Sequence, residues 1–323
     1  MIAFVILNYN TWEMTIRCVD SIFNTCKQNN TIYIVDNGST NDSYHNLKEQ
    51  YRNNKNVRVI HNENLGYAKG NNVGIREAIK DGHDIITIVN NDVIFLDESI
   101  SHMYTFLENH PNVAVACPYI LSSEGELRDL PFLKPIKTVD YLLYNTKLSN
   151  FATLNRKIHF NKEYFLSGDS IRNEPIPIYK FSGCCFMAKR EMLENVGLFD
   201  ENTFLYYEED ILSNKMHKLG YNAYYLPNSK IVHHHGLTTG KDNLFVDTEM
   251  IKSEMYFLSK CYQLNIFVLL FIYIDRAIIP IMKKLKHRYN LTFKEYLEFL
   301  RKTSVHFIKS SKLRNEKNVI DEG

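Results

Sequence analysis

The chain has 323 residues, enough for one large domain or two ordinary ones with a sizeable core. Lys+Arg 38 against Asp+Glu 37 leaves it nearly neutral, so overall charge does not recommend nucleic acid as a partner and any basic patch is local. Tyr 21 and Phe 19 would suit sugar or lipid surfaces, and they are equally ordinary core material.

Ile2 to Leu7 reads as a buried strand with Asn8-Tyr9-Asn10 as its polar exit. No basic region precedes Met-Ile-Ala-Phe-Val-Ile-Leu and no cleavage site follows, so a strand is expected rather than a signal. Cys18, Cys26, Cys117, Cys184, Cys185 and Cys261 form no Cys-x-x-Cys pair, which suggests reduced thiols in a cytoplasmic protein. Helical spacing of Ile16, Val19, Ile22 and Phe23 predicts a helix over Trp12 to Thr25. Thr31 to Val35 predicts a second strand ending in Asp36-Asn37-Gly38-Ser39, and a helix near Asp42 to Tyr51 leads to a third strand at Val57 to Ile60. Alternating strands and helices predict a largely parallel α/β sheet whose strand ends share one face.

Gly66, Gly70 and Gly74 recur at fourfold spacing, which on a helix brings them to one face for close approach to a strand or a ligand. Neither a dinucleotide fingerprint nor a Walker loop is present. Ile85 to Asp92 predicts a strand buried on both faces that delivers Asn90-Asn91-Asp92 at its carboxyl end. That is where open α/β sheets bind ligands. Oxygen donors there suit a hard divalent cation and a phosphate; a polar turn is the plainer reading.

Ile6-Leu7-Asn8-Tyr9-Asn10, Val35-Asp36-Asn37-Gly38-Ser39, the stretch from Asn64-Leu65-Gly66-Tyr67 to Gly74 and Asn90-Asn91-Asp92 follow in register. Together they resemble the family 2 glycosyltransferases of GT-A fold, in particular a rhamnosyltransferase-like subgroup that builds bacterial surface polysaccharides. The resemblance covers roughly residues 1–240 as one catalytic domain and leaves 241–323 as a helical extension. It implies an inverting transfer from a dTDP- or UDP-linked sugar to a saccharide hydroxyl, the acceptor being a polyprenyl-diphosphate-linked glycan. Asn8, Tyr9, Asp36, Asn64, Gly66, Asn71, Asn90 and Asn91 would line the donor nucleotide, with Asp36 reading the base. Asp92 would hold Mn²⁺ or Mg²⁺, although the first position of the metal motif is Asn90 rather than Asp.

Leu127 to Pro177 is poorly patterned and is expected to be an irregular insert shaping acceptor choice. Phe181 to Arg190 predicts a strand ending in two cations, followed by a short helix over Glu191 to Val196. Arg190 and Lys69 are candidates for donor phosphate or acceptor, or plain surface charges. The family carries an acid pair at the start of a later helix. The match nominates Glu209 as catalytic base, ahead of Asp210 and Glu208. Acids in a first helical turn also complement the helix dipole. In His233-His234-His235 only alternate residues share a strand face, so His233 and His235 are carried over to the metal or diphosphate.

Glu254 to Tyr262 begins a predicted helix, and Ile266 to Ile274 is apolar without break yet shorter than the roughly 20 residues that span a bilayer. Beyond Asp275 there are 12 Lys/Arg against 5 Asp/Glu. That end either lies on an anionic membrane face or is a core helix with a solvated basic tail. Two other readings are weighed: a nucleotide-sugar-binding partner subunit without activity, and a nucleotidyltransferase. The acids at 208–210 speak against the first, and the absence of a Gly-rich basic loop after the first strand speaks against the second.

Overall fold

The computed structural model describes residues 1–151, 154–166, 173–234, 243–286 and 290–313. The chain forms two compact units: residues 1–135, 161–201 and 208–238, and residues 136–160, 202–207 and 239–323. The last passage between them falls between residues 238 and 239. The second unit also takes in two earlier segments.

In the first unit, β1 (Ile2–Asn8), β2 (Asn30–Asn37), β3 (Val57–Asn62) and β4 (Ile85–Asn90) run parallel in the order β3-β2-β1-β4. β1 is apolar on both faces until Asn8, so it can only be a central strand. Its register sets Asn8 opposite Asp36 and Leu7 opposite Asn90, which aligns the polar strand ends along one edge. The crossovers are α1 (Trp12–Thr25), α2 (Ser43–Gln50) and α3 (Tyr67–Lys80). α1 buries Cys18, Val19 and Ile22, the inward stripe its spacing predicts. α3 lies close against the sheet. A Cβ on Gly70 would stand 2.5 Å from Leu7 Cδ1, and one on Gly74 would stand 2.5 Å from Val5 Cγ1. At these two glycines the close approach is to strands.

Beyond β4 the sheet is mixed. After β5 (Val93–Phe95) and α4 (Ser99–Asn109) come β6 (Val113–Leu121), β7 (Ile176–Ile178), β8 (Cys185–Lys189) and β9 (Asn222–His233). β8 lies between β4 and β6, antiparallel to both, while β9 runs parallel to β6 and takes β5 and β7 antiparallel on its other stretches. The expected largely parallel sheet is therefore its first half. β8 enters from the strand-end side, so no crossover helix is needed.

Residues 127–177, expected to be irregular, contain α5 (Thr138–Asn145), a 3₁₀ turn (Lys147–Phe151) and α6 (Leu154–Tyr164). α5 buries only Tyr141, too little to leave a helical stripe in the sequence. The short α7 (Arg190–Asn195) follows β8, and α8 (Glu208–Lys218) leads into β9.

In the second unit α9 (Leu244–Lys260) starts well before the expected Glu254, because Asn243 caps it by accepting from Phe245 N at 2.9 Å. α10 (Ile266–Ala277), α11 (Ile279–Leu285) and α12 (Phe293–Leu313) complete it. Buried Glu254 receives Arg276 through two hydrogen bonds of 2.8 Å, and Arg276 also reaches Asp275 at 2.8 Å.

Candidate active site

The ends of β1, β2 and β3 build one half of the site. Asp36 is fully buried; its carboxylate accepts from Asn8 Nδ2 at 2.9 Å and from Ser39 N at 3.3 Å. Asn8 is itself held by Thr15 Oγ1 at 2.8 Å, so its amide orients Asp36 and does not reach outward. His61, at the end of β3, sets Nδ1 3.3 Å from the other Asp36 oxygen and packs against the Tyr44 ring. The sequence reading missed His61, although its strand-end position is the signal that marked Asn8 and Asp36. Asn10 adopts φ 58° and its amide bonds Thr40 N at 2.8 Å, tying the loops after β1 and β2 together beside half-buried Tyr9. Asn64 accepts from Asn37 Nδ2 at 3.2 Å and from Gly66 N at 3.3 Å. Gly66 takes φ 98° as α3 opens, a backbone angle that favours glycine. Asn71 is buried, with Nδ2 3.0 Å from Tyr67 O, and steadies the first turn of α3.

The end of β4 builds the other half. Tyr67 brings its hydroxyl to Asn90 Oδ1 at 2.9 Å and to Gly183 O at 2.8 Å. Burial raises the Tyr67 pKa well above its ordinary value, and the charges of Glu208, Glu209 and Asp92 push the same way. Asn91 is pinned by Thr11 Oγ1 at 2.7 Å and Thr15 Oγ1 at 3.0 Å. Asp92 is thus the one carboxylate of the Asn90-Asn91-Asp92 turn, and it is buried with Oδ1 3.1 Å from His233 Nε2. The pairing of Val93 with His233 across β5 and β9 imposes this meeting. His233 Nδ1 lies 3.5 Å from Asp129 Oδ2. Burial opposes a charge on His233, but Asp129 and Asp92 outweigh it and push its pKa up to about 12. Donor atoms of Asp129, Cys184 and His233 fall within 4.8 Å of one another. A carboxylate, a thiol and an imidazole so placed are a donor set a divalent cation can use, while Asp92 lies on the opposite ring nitrogen of His233. His235 lies outside the described residues.

The acids open α8. Tyr206 and Tyr207 take φ 75° and 68° just before it, an uncommon backbone for large side chains. Glu208 is buried. Asp210 pairs with Lys180 at 2.7 Å, and Lys180 also sits over the Phe132 ring. Burial works against the Lys180 charge, and Asp210 and Glu209 more than offset it, so its pKa is raised. Glu209 faces Gly183, with Oε2 3.4 Å from where a Cβ would stand. Burial raises the Glu209 pKa; Lys180 lowers it and Asp210 raises it again. Gly183 therefore joins Glu209 to Tyr67 and Asn90, while the adjacent Cys184 backs His233 and receives Asn90 N on its carbonyl at 2.7 Å.

Lys69 stands half-buried on the first turn of α3, where its charge helps lower the Glu201 pKa after the larger effect of Asn72. Arg190 is elsewhere. Its guanidinium pairs with Asp84 at 3.0 Å, before β4 begins, while Lys189 pairs with Ile85. The six residues of β4 put it roughly 20 Å from Asp92.

The strand ends thus gather a buried acid, a carboxylate–histidine cluster and a raised-pKa carboxylate along one edge of the parallel half-sheet. The Glycosyl transferase family 2 profile matches residues 3–197, and the chain belongs to that family. It is similar to the N-acetylglucosaminyl-diphospho-decaprenol L-rhamnosyltransferase of Mycobacterium tuberculosis, 24% identical over 221 residues, 66% of this chain and 69% of that protein. It is also similar to the dTDP-rhamnosyl transferase RfbF of Shigella flexneri, 24% identical over 230 residues, 71% of this chain and 67% of that protein. The fold is that of the GalNAc-T7 structure with UDP, GalNAc and Mn²⁺, at TM-score 0.56 and 14% identity over 97% of this chain. The chain spans 58% of that longer protein.

Proposed function

We propose that this glycosyltransferase moves a sugar, rhamnose or a hexose, from a nucleoside-diphosphate donor to a hydroxyl of a lipid-linked saccharide, inverting the anomeric centre. The observation that carries the reading is Glu209, a carboxylate raised in pKa by burial, set through Gly183 and Tyr67 beside the strand end that bears Asp92. A hydroxyl is a poor nucleophile, and Glu209 takes its proton as the oxygen attacks the anomeric carbon. The bond to the diphosphate breaks in the same displacement, which is why the centre inverts.

Asp36, fixed by Asn8 and Ser39, presents an acceptor to the imide N–H of a uracil or thymine, with His61 beside it. Asp92 would hold a divalent cation, Mn²⁺ or Mg²⁺, with His233 linking it to Asp129 on its other ring nitrogen. Such an ion, when bound, neutralises charge developing on the leaving diphosphate. Asp210 is occupied by Lys180 and Glu208 is buried, which leaves Glu209 to meet the acceptor. Two rhamnosyltransferases among the relatives, one named for a decaprenyl-diphosphate acceptor and one for a dTDP donor, support dTDP-rhamnose and a polyprenyl-linked acceptor.

The test is a donor screen by thermal shift and product release, using dTDP-rhamnose and UDP-sugars with and without Mn²⁺. One nucleotide sugar should stabilise the protein in a metal-dependent way, and Asp92→Ala should abolish the effect. No stabilisation by any donor in either condition would overturn the reading.

A further inference from the structure

α10 turns an apolar face outward as well as inward. Leu269 and Ile272 are buried, yet Phe267, Leu270, Phe271 and Ile274 are exposed, Phe267 to 80%. Their spacing of three, one and three residues places them on one side of the helix. Ile278, which joins α10 to α11 in right-handed helical conformation, continues that side. Ile281, Met282 and Leu285 extend it along α11, Leu285 being 73% exposed. The outer stripe thus runs over both helices without a polar break.

Its charge has one sign. Between Ile266 and Lys286 the only acid is Asp275, which is buried and paired with Arg276. Lys284 and Lys286 are exposed on either side of Leu285, so cations flank the end of the stripe. Beside it opens a cleft of about 410 Å³ lined by Met282, Lys286, Lys147 and Lys283 and also by Asp275 with Arg276, Lys283 being paired with Asp247 at 2.8 Å. Among the described residues no helix is long and apolar enough to cross a membrane. The 12 residues of α10 reach about 18 Å, against a hydrocarbon core of about 30 Å.

We propose that α10 and α11 lie in the interface of an anionic bilayer, the stripe dipping among the acyl chains and Lys284 and Lys286 meeting lipid phosphates. A continuous apolar row with exposed lysines at its end matches that medium, which offers hydrocarbon and negative headgroups in adjacent layers. The inference rests on the transfer reading only for its purpose, bringing the enzyme to a lipid-linked acceptor; the binding itself needs neither donor nor acceptor.

The full chain is sedimented with vesicles of phosphatidylcholine alone and of phosphatidylcholine with phosphatidylglycerol, with no sugar nucleotide present. Binding should require the anionic lipid and weaken with salt. Phe267→Asp/Leu285→Asp should lose at least tenfold in affinity, and Lys284→Glu/Lys286→Glu should lose roughly fivefold or more per charge. Both pairs are exposed, and circular dichroism with the melting temperature confirms that each variant is folded. Equal binding to both vesicle types, no binding to either, or wild-type binding by the stripe variant would overturn the proposal. So would a wild-type dimer that ignores vesicles and is dispersed by the stripe substitutions, since the row would then join two copies. Transfer to a water-soluble saccharide acceptor should survive in the stripe variant. Loss of vesicle binding with transfer intact refutes nothing about the chemistry, and loss of transfer with vesicle binding intact refutes only the chemistry.

Discussion

Replacing Gly74 by alanine tests whether the packing of α3 positions the site. A Cβ there would sit 2.5 Å from Val5 Cγ1 and 3.1 Å from Val35 Cγ2, where carbon contacts rest at about 3.5–4.0 Å. Both valines are fully buried on central parallel strands, and valine is stiff about χ1, so the helix has to yield. Overpacking of this kind costs about 1–3 kcal/mol. Alanine returns about 1 kcal/mol in helix propensity, so the middle of that range leaves a net loss of about 1 kcal/mol. For a unit of this size that is a fall of roughly 2–4 °C in Tm by calorimetry. The control is Gly82→Ala: a Cβ there meets nothing within 4 Å, and φ +80° makes the position costly for backbone reasons alone, about 1–2 kcal/mol. Both variants should melt earlier. Only Gly74→Ala should also weaken nucleotide binding, because α3 carries Gly66 and Tyr67. An unchanged or higher Tm for Gly74→Ala, or equal donor affinity in the two variants, would refute the reasoning.

Glu209→Gln should lower kcat by about 10²–10⁴-fold with donor affinity retained, a loss of about 2.7–5.5 kcal/mol of transition-state stabilisation. The base works only when ionised, and burial raises its pKa, so transfer should fail on acidification above the range of an ordinary glutamate. Lys180→Met removes a cation that lowers that pKa, so the acidic limb of the pH–rate profile should move to higher pH; a limb that stays or moves down removes Lys180 from this role. Arg190→Ala should leave kcat and KM unchanged and cost under about 1 kcal/mol, since its partners lie at the far end of β4; a tenfold weaker donor would return it to the site. Arg276→Met should cost about 3–5 kcal/mol in urea unfolding by stranding Glu254 and Asp275, with Arg276→Met/Glu254→Gln recovering much of it.

The parallel half-sheet was readable because its strands are apolar on both faces and end abruptly in Asn8, Asp36 and Asn90. The helix over Trp12–Thr25 was equally plain, since a 14-residue stripe repeats its spacing several times. Asp129 was not readable. It reaches His233 because Ser122 to Glu126 turns the chain back, with Arg128 N bonding Ile120 O at 2.9 Å and Asp129 itself at φ 49°. Nothing local in Arg-Asp-Leu-Pro encodes a partner about 100 residues away on β9. Lys180 stayed hidden for the same reason, since its meaning comes from Asp210. Arg190 shows the opposite case: read as a phosphate or acceptor candidate or a plain surface charge, it is carried by antiparallel β8 to the far end of β4.

The second unit is assembled from three separate stretches of chain, and the middle one, residues 202–207, is six residues long and runs directly into the helix that carries Glu209. Cutting the protein after residue 240 would therefore not remove a tail; it would strand residues 136–160 and 202–207 without the helices they fold with. The second of these leads straight into α8 through Tyr206 and Tyr207, whose backbone angles need surrounding structure to persist. A truncation at 240 thus reaches, through the chain itself, the segment that enters the helix bearing Glu209.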